Sequence, residues 1–219
     1  MRIAYGLLLS FFALHGAPAF AEVTTDDRLW LSTALRGDVI DGLTGQFTQH
    51  LRLPITGAYN RQIIPEIGLD YTPVSLVSVG VGARYGFETV EENETTRAFR
   101  MHGDLGLDSP ELGPLELGYR LRYQSESSVV TEEPKNRIRN RLSLKVSTGT
   151  MLRPGAFYEH FMDPQGEADQ KAQKQRFGGD LSLKLNKRHR LRLKYFQDTE
   201  IDGDGDKVRV TAMAYRYSL

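Results

Sequence analysis

Twelve basic residues recur in period two along the chain: Arg52, Arg84, Arg100, Arg120, Arg122, Arg139, Arg141, Lys145, Arg176, Lys184, Arg192 and Lys194. Residues two apart on an extended strand share a face. Arg120 with Arg122, Arg139 with Arg141, and Arg192 with Lys194 therefore point the same way. The acids of the same parity are Glu66, Asp70, Asp104, Glu116 and Asp180, fewer than half as many. Guanidinium and ammonium groups gathered on one surface attract carboxylate and phosphate solutes, and rings of them inside a pore select for anions.

Other chemistry is thinly represented. A hydrolase needs a nucleophile, a base and an orienting group within hydrogen-bond reach. The histidines that follow the leader are His50, His102, His160 and His189, and none forms a His-x-Ser pair like that of the barrel lipid A deacylases. Ser125-Glu126-Ser127-Ser128 has no histidine beside it. Glu159 next to His160 could meet distant carboxylates in an omptin-like arrangement, which makes a rim-located outer-membrane hydrolase the minor alternative. Asp202-Gly203-Asp204-Gly205-Asp206 resembles the start of a calcium loop, but the full loop demands glutamate at its twelfth position, where Met213 stands. A solvated hairpin loop is the better reading. With no cysteine in the chain there is neither a disulfide framework nor a thiolate metal site. No catalytic residue, metal or cofactor is expected.

The elements that carry the basic face read as strands. Alternation runs from Leu29 almost to the end, with hardly any helical periodicity. It predicts strands near 28–36, 43–53, 62–72, 76–87, 97–108, 114–125, 137–148, 155–162, 175–186, 190–198 and 207–219. Most exceed the five or six residues or so usual in soluble sheets and suit a tilted membrane strand of about 9–11. Eleven is an odd count, whereas single-chain bacterial barrels have even numbers. The expectation is therefore about 10–12 strands, with one missed near the N-terminus or one split.

The face opposite the arginines is hydrocarbon. Leu181, Leu183 and Leu185, then Leu191, Leu193 and Tyr195, exemplify it; across eight strands this parity carries no charge. An arginine at the midplane of a lipid-facing strand costs about 2–4 kcal/mol, so lipid purges charge from that face. A soluble sandwich could share the rhythm. Strand length, connections alternating between short and long, and Tyr71, Tyr85, Phe87 and Tyr123 near strand ends favour a membrane barrel with aromatic girdles. The tail Met213-Ala214-Tyr215-Arg216-Tyr217-Ser218-Leu219 resembles a barrel-assembly signal, with leucine in place of the usual final phenylalanine.

The start of the chain assigns a compartment. Arg2, the apolar run Ile3 to Leu14, and Ala19-Phe20-Ala21 before Glu22 have the three parts of a secretory signal peptide. The run is too short for a membrane helix of about 20 residues. Residues 1–21 are thus expected to be removed, leaving 22–219 as one domain. Mean hydropathy is −0.41, and no other long apolar run exists to make a helical membrane protein. The 28 basic and 28 acidic residues cancel, so net charge indicates no partner. Lys187-Arg188-His189-Arg190 is basic, but it lies in an expected turn of an exported protein, and nucleic acid is not an expected partner.

Leu29-Trp30-Leu31-Ser32, Gly118-Tyr119-Arg120-Leu121-Arg122-Tyr123-Gln124, Arg176-Phe177-Gly178-Gly179 and the closing Ala214 to Leu219 resemble the DUF2490 family of predicted outer-membrane barrels. The resemblance spans nearly the whole mature chain and implies the architecture. It carries no activity to transfer. In size and interior charge alone, the chain is also similar to the small arginine-lined oligosaccharide porins.

The sequence thus reads as an all-β, single antiparallel transmembrane β-barrel of the Gram-negative outer membrane, preceded by a cleaved signal peptide. Its expected function is that of a narrow passive channel with a basic, anion-preferring lumen. A non-conducting structural barrel, its lumen closed by salt bridges among such residues as Arg120, Arg122, Arg141, Arg176, Glu116, Asp104 and Asp180, is the alternative. Expected partners are outer-membrane lipid and lipopolysaccharide, the barrel-assembly machinery and small anionic solutes. Intact mass of protein recovered from outer membranes should correspond to a chain beginning at Glu22; a mass retaining residues 1–21 would refute the leader.

Overall fold

A computed structural model describes residues 25–55, 61–91, 94–110, 112–128, 134–166, 172–201 and 205–219. The expected leader 1–21 and most of the Asp202–Asp206 loop lie outside these. Eleven strands form: β1 (Thr25–Ile40), β2 (Leu43–Pro54), β3 (Arg61–Val74), β4 (Val77–Glu91), β5 (Glu94–Asp108), β6 (Leu115–Ser128), β7 (Lys135–Val146), β8 (Leu152–Met162), β9 (Ala172–Lys184), β10 (His189–Glu200) and β11 (Lys207–Ser218). Each pairs with its neighbours in chain order, and β1 closes on β11 to complete a barrel. No helix among the described residues is long and apolar enough to cross a membrane.

The strands run 11 to 16 residues, most of them longer than the alternation alone delimits; β7 and β11, at 12 each, are not. At about 3.3 Å per residue and a tilt near 40°, twelve residues span about 30 Å, the hydrocarbon thickness of a bilayer. The expected long loop at 88–96 is mostly strand, since Thr89 pairs with Thr95 and Glu91 with Glu94. Likewise Pro73 and Val74 belong to β3, and the turn falls one residue later than the sequence suggests. The loop asymmetry is correspondingly milder. Connections at one end (41–42, 75–76, 109–114, 147–151, 185–188) are short, and the longest connection, 163–171, lies at the other. Gly42, Gly113 and Gly149 reverse the chain at the short-turn end with φ of 73°, 66° and 71°, a region that disfavours side chains with a Cβ.

The odd count is real among the described residues, and it has a geometric consequence. With eleven strands, β1 and β11 run the same way, so the closing pair is parallel, from Thr25↔Lys207 to Arg36↔Ser218. The sequence reading expected antiparallel pairing throughout; ten junctions have it and the seam does not. Parallel ladders are slightly weaker per residue. Two further contacts reinforce this one: the side chains of Asp27 and Arg209 form a two-pronged ion pair across it (2.8 and 3.0 Å), and the backbone amide of Leu219 donates to the backbone carbonyl of Arg36 (2.8 Å).

The expected division of faces holds. Ile67, Val81, Met101, Leu142, Phe177, Leu193 and Tyr195 all point away from the barrel axis and are exposed. Water does not tolerate a continuous apolar belt of this extent on a monomer; lipid does. The buried side chains are instead inside the barrel and mostly polar: Arg122, Gln124, Arg139, Glu159, Arg176 and Asp198. Small residues make space for them. A Cβ on Gly82 would lie 2.4 Å from the His102 ring, and one on Gly178 would lie 2.4 Å from both the Tyr195 carbonyl oxygen and the Phe196 Cβ.

Two substitutions separate the faces. Leu193→Arg should lower the unfolding free energy in lipid vesicles by about 2–4 kcal/mol. Gly178→Ala meets backbone as well as side chain and should lower the thermal midpoint of the folded barrel, whereas Gly103→Ala, with only the Gly80 carbonyl oxygen at 3.9 Å, should leave it unchanged. Heat-modifiable gel mobility and circular dichroism melting report both.

Candidate functional site: the basic lumen

Inward parity places the basic residues of many strands around one elongated cavity of about 780 Å³. Along β11 its walls extend from Asp206 to Arg216, essentially the length of that strand. Seventeen basic side chains and five acidic ones line it among the described residues. Eleven of the twelve residues singled out from the sequence are there. Lys184, at the end of β9, is exposed at the short-turn rim and does not line the cavity.

Most of these cations are held by carboxylates on adjacent strands. Arg122 grips Asp104 with two bonds of 2.6 Å. Arg176 grips Asp198 in the same way (2.5 and 2.8 Å), with Lys174 also on Asp198 at 3.3 Å. Arg192 donates to Asp180 (2.6 Å) and Lys145 to Glu116 (2.5 Å). Arg84 pairs with Glu66, which also bonds His50 at 2.9 Å, and Arg100 pairs with Glu126. Glu159 on β8 has no exposed surface. It meets Arg120 and Arg139 at 2.9 Å and Arg176 at 3.6 Å, from β6, β7 and β9.

These ion pairs follow the wall. Among the described residues each lies within one strand, as Arg28 with Asp26 on β1, or joins strands that are adjacent or one strand removed, and none reaches across the barrel. They fix side-chain directions without bridging the axis. Arg52, Arg141 and Lys194 have no ion pair among the described residues. Arg52 donates to Gln62 (3.1 Å) and lies 4.2 Å above the Trp30 ring, and Arg141 lies 4.0 Å above Phe157. An aromatic face attracts a cation without neutralising it, so Arg52 and Arg141 are held in place without a carboxylate.

The aromatic floor was not visible in the alternation. Trp30, Phe157, Phe161 and Phe196 point inward beside Val210, in the sector of β1 and β8–β11. There both faces are apolar, as Phe157 inside and Tyr158 outside illustrate, and a period-two reading cannot tell inward from outward. For the same reason Arg28, Arg153 and Arg216 were not counted as lumen residues, although they line the cavity. In the sequence Glu159 stood out only for its neighbour His160, and nothing there marks the convergence of three arginines on it.

Of the histidines, His50 and His102 face the lumen; His50 bonds Glu66, and His102 lies 3.9 Å from both Glu66 and Asp104. Glu159 and His160 point to opposite faces of β8, so the considered acid–histidine pair does not form. Ser125-Glu126 is likewise divided, with Glu126 engaged by Arg100. His189 sits outside at the short-turn end, 2.6 Å from the Tyr215 hydroxyl and packed on Tyr217, in the position of an interfacial girdle.

Comparison with solved structures gives the fold context. LpxR from Salmonella typhimurium aligns over 80% of this chain and 83% of its own, at 10% identity and a TM-score of 0.53. The anion-selective porin from Comamonas acidovorans aligns over 80% of this chain and 52% of its own, at 12% identity and a TM-score of 0.39. The first likeness is one of fold alone and agrees with the closed β-barrel described above. No curated protein matches. The match that covers the barrel is to the family described as "Protein of unknown function (DUF2490)", over residues 27–209, and the chain belongs to that family.

Proposed function

We propose that this protein is a narrow passive channel of the Gram-negative outer membrane with a preference for small anions. One observation carries the reading: the cavity runs the length of β11, its seventeen basic residues exceed the acidic ones even when the paired Asp104, Glu116, Glu126 and Glu159 are added to the five that line it, and the ion pairs lie along that wall. In a confined, partly desolvated passage, excess fixed positive charge raises the local concentration of anions and depletes cations. Of the twelve residues named from the sequence, Arg52, Arg141 and Lys194 line the cavity without an ion pair among the described residues and are proposed to pass one solute anion to the next. The twelve residues named from the sequence are proposed as the anion-attracting set, with Lys184 acting at the rim. In this orientation the short turns face the periplasm, and the outward belt contacts outer-membrane lipid and lipopolysaccharide after insertion by the barrel-assembly machinery. The leader 1–21 supplies export.

The buried Glu159 web favours a second reading, a rigid barrel whose lumen serves stability alone. Glu159 gathers three guanidinium groups in the interior, and removing one partner of a buried charge cluster costs about 3–5 kcal/mol.

Planar-bilayer recording of the refolded protein decides between them. Discrete conductance steps with a reversal potential shifted toward chloride in asymmetric KCl are expected; folded protein that inserts without steps would leave only the structural barrel. Glu159→Gln should increase the chloride-to-potassium permeability ratio, because three arginines lose their shared counter-charge, and should lower the thermal midpoint. An unchanged ratio in conducting protein would remove the lumen arginines as the selectivity determinant.

A further inference from the structure

At the short-turn end, four arginines from four strands stand together with no ion pair among the described residues; the acids that act on them, Asp70 on Arg36 and Glu116 on Arg190, do so from beyond ion-pair distance. Arg190 on β10 lies directly opposite Arg216 on β11, Arg36 follows on β1, and Arg153 opens β8. By parity all four belong to the inward face, and Arg153, Arg190 and Arg216 line the cavity. None has an ion pair or a side-chain hydrogen bond among the described residues. The charges acting on Arg216 are those of Arg190, Arg36 and Arg192, all basic. Those acting most strongly on Arg190 are Arg153, Arg192 and Arg36, with Glu116 weakest. Nε of Arg216 is buried with no hydrogen-bond partner.

Other arginines also stand opposite one another, such as Arg84 and Arg100 or Arg122 and Arg139, but there each is held by a carboxylate. Toward the long-loop end Arg28 has Asp26 at 2.6 Å, Arg100 has Glu126, and Lys174 has Asp198. Like charges directly opposite on paired strands destabilise the pair, and here two such guanidinium groups are reinforced by two more. The repulsion is relieved when an anion sits among them. Guanidinium groups present fixed forks of donors that match the geometry of phosphate and carboxylate oxygens. The turn residues Lys187 and Arg188 add positive charge at the same mouth.

We propose that this mouth is a binding site for a free multivalent oxyanion of the phosphate or polyphosphate class. It deepens the anion-channel reading and rests on that reading's water-filled lumen, though not on ions passing through it. Four unpaired cations match a ligand of several negative charges better than a single chloride. The guanidinium groups project inward while phospholipid head groups surround the outer face, so the source is a dissolved anion rather than lipid.

The test uses mature protein refolded in a non-ionic detergent, titrated calorimetrically with sodium tripolyphosphate at constant ionic strength. Saturable binding is expected, together with a rise in thermal midpoint, since a ligand that binds only the folded state stabilises it. Arg190→Gln with Arg216→Gln should weaken binding at least tenfold, and Arg216→Gln alone by a smaller factor. Arg61→Gln, on the outer face at the other end, should leave it unchanged. Without ligand the double variant should melt at or above the wild-type temperature, because repulsion is removed; this shows that it is folded. Heat no more saturable than that of chloride at equal ionic strength, or full affinity in a folded double variant, would overturn the site. Displacement of tripolyphosphate by phosphatidylglycerol vesicles would transfer it to lipid and overturn it equally. Bilayer recording of the same preparation separates the two readings: binding without conductance steps sustains the site and rejects the channel, and steps without binding do the reverse.

Discussion

In hydrocarbon, an unsatisfied backbone N–H or C=O costs several kcal/mol, so a chain that crosses as strands must close its sheet completely. Everything else in this protein is arranged around that closure. Ten hairpin junctions form between sequence neighbours, where short turns make pairing local. The eleventh joins the two ends of the chain, and its register is parallel because an odd number of strands leaves the first and last pointing the same way. The Asp27–Arg209 ion pair and the Leu219 amide bond to Arg36 strengthen the junction that lacks a connecting turn.

Closure turns the usual soluble arrangement inside out. Hydrocarbon is outside and charge is inside, and the interior must satisfy polar groups that a soluble core would exclude. The chain does so chiefly with pairs on neighbouring strands, such as Arg122 with Asp104 and Arg192 with Asp180, whose geometry the ladder dictates. Glu159 is different, since it collects arginines from both sides of β8 and has no contact with solvent. Because the pairs run around the wall, the interior can be both extensively hydrogen-bonded and open along its axis. Glycines such as Gly82 and Gly178 provide the room that this dense lining requires.

Charge is unevenly distributed along the axis. Carboxylates clamp Arg28, Arg100 and Lys174 toward the long-loop end, while at the short-turn mouth Arg36, Arg153, Arg190 and Arg216 have no ion pair among the described residues, with Asp70 and the Lys145-bound Glu116 as the acids near them. A zero net charge for the chain conceals this, because many of the acids lie on strand ends and connections rather than on the inner wall. Electrostatic character in a barrel of this kind is a property of position, and overall composition says little about it.

Strand length, the connections and girdle aromatics such as Tyr71 and Tyr123 favoured a membrane barrel over a soluble sandwich, and the alternation of residues such as Leu181 to Leu185 against Asp180 to Lys184 determined the approximate strands and their charged and apolar faces. Strands and faces depend on a period of two, which is local and readable. It also placed eleven of the twelve basic residues on the cavity wall, and it failed for Lys184 only because parity does not say where along the axis a strand leaves the cavity. The structure alone decided the parallel seam, the clamping of Glu159, the inward aromatic sector of Trp30, Phe157 and Phe196, and the meeting of Arg190 with Arg216 and Arg36. These follow from register and closure, which bring together residues more than a hundred positions apart, and no local rhythm encodes which strand will stand opposite which.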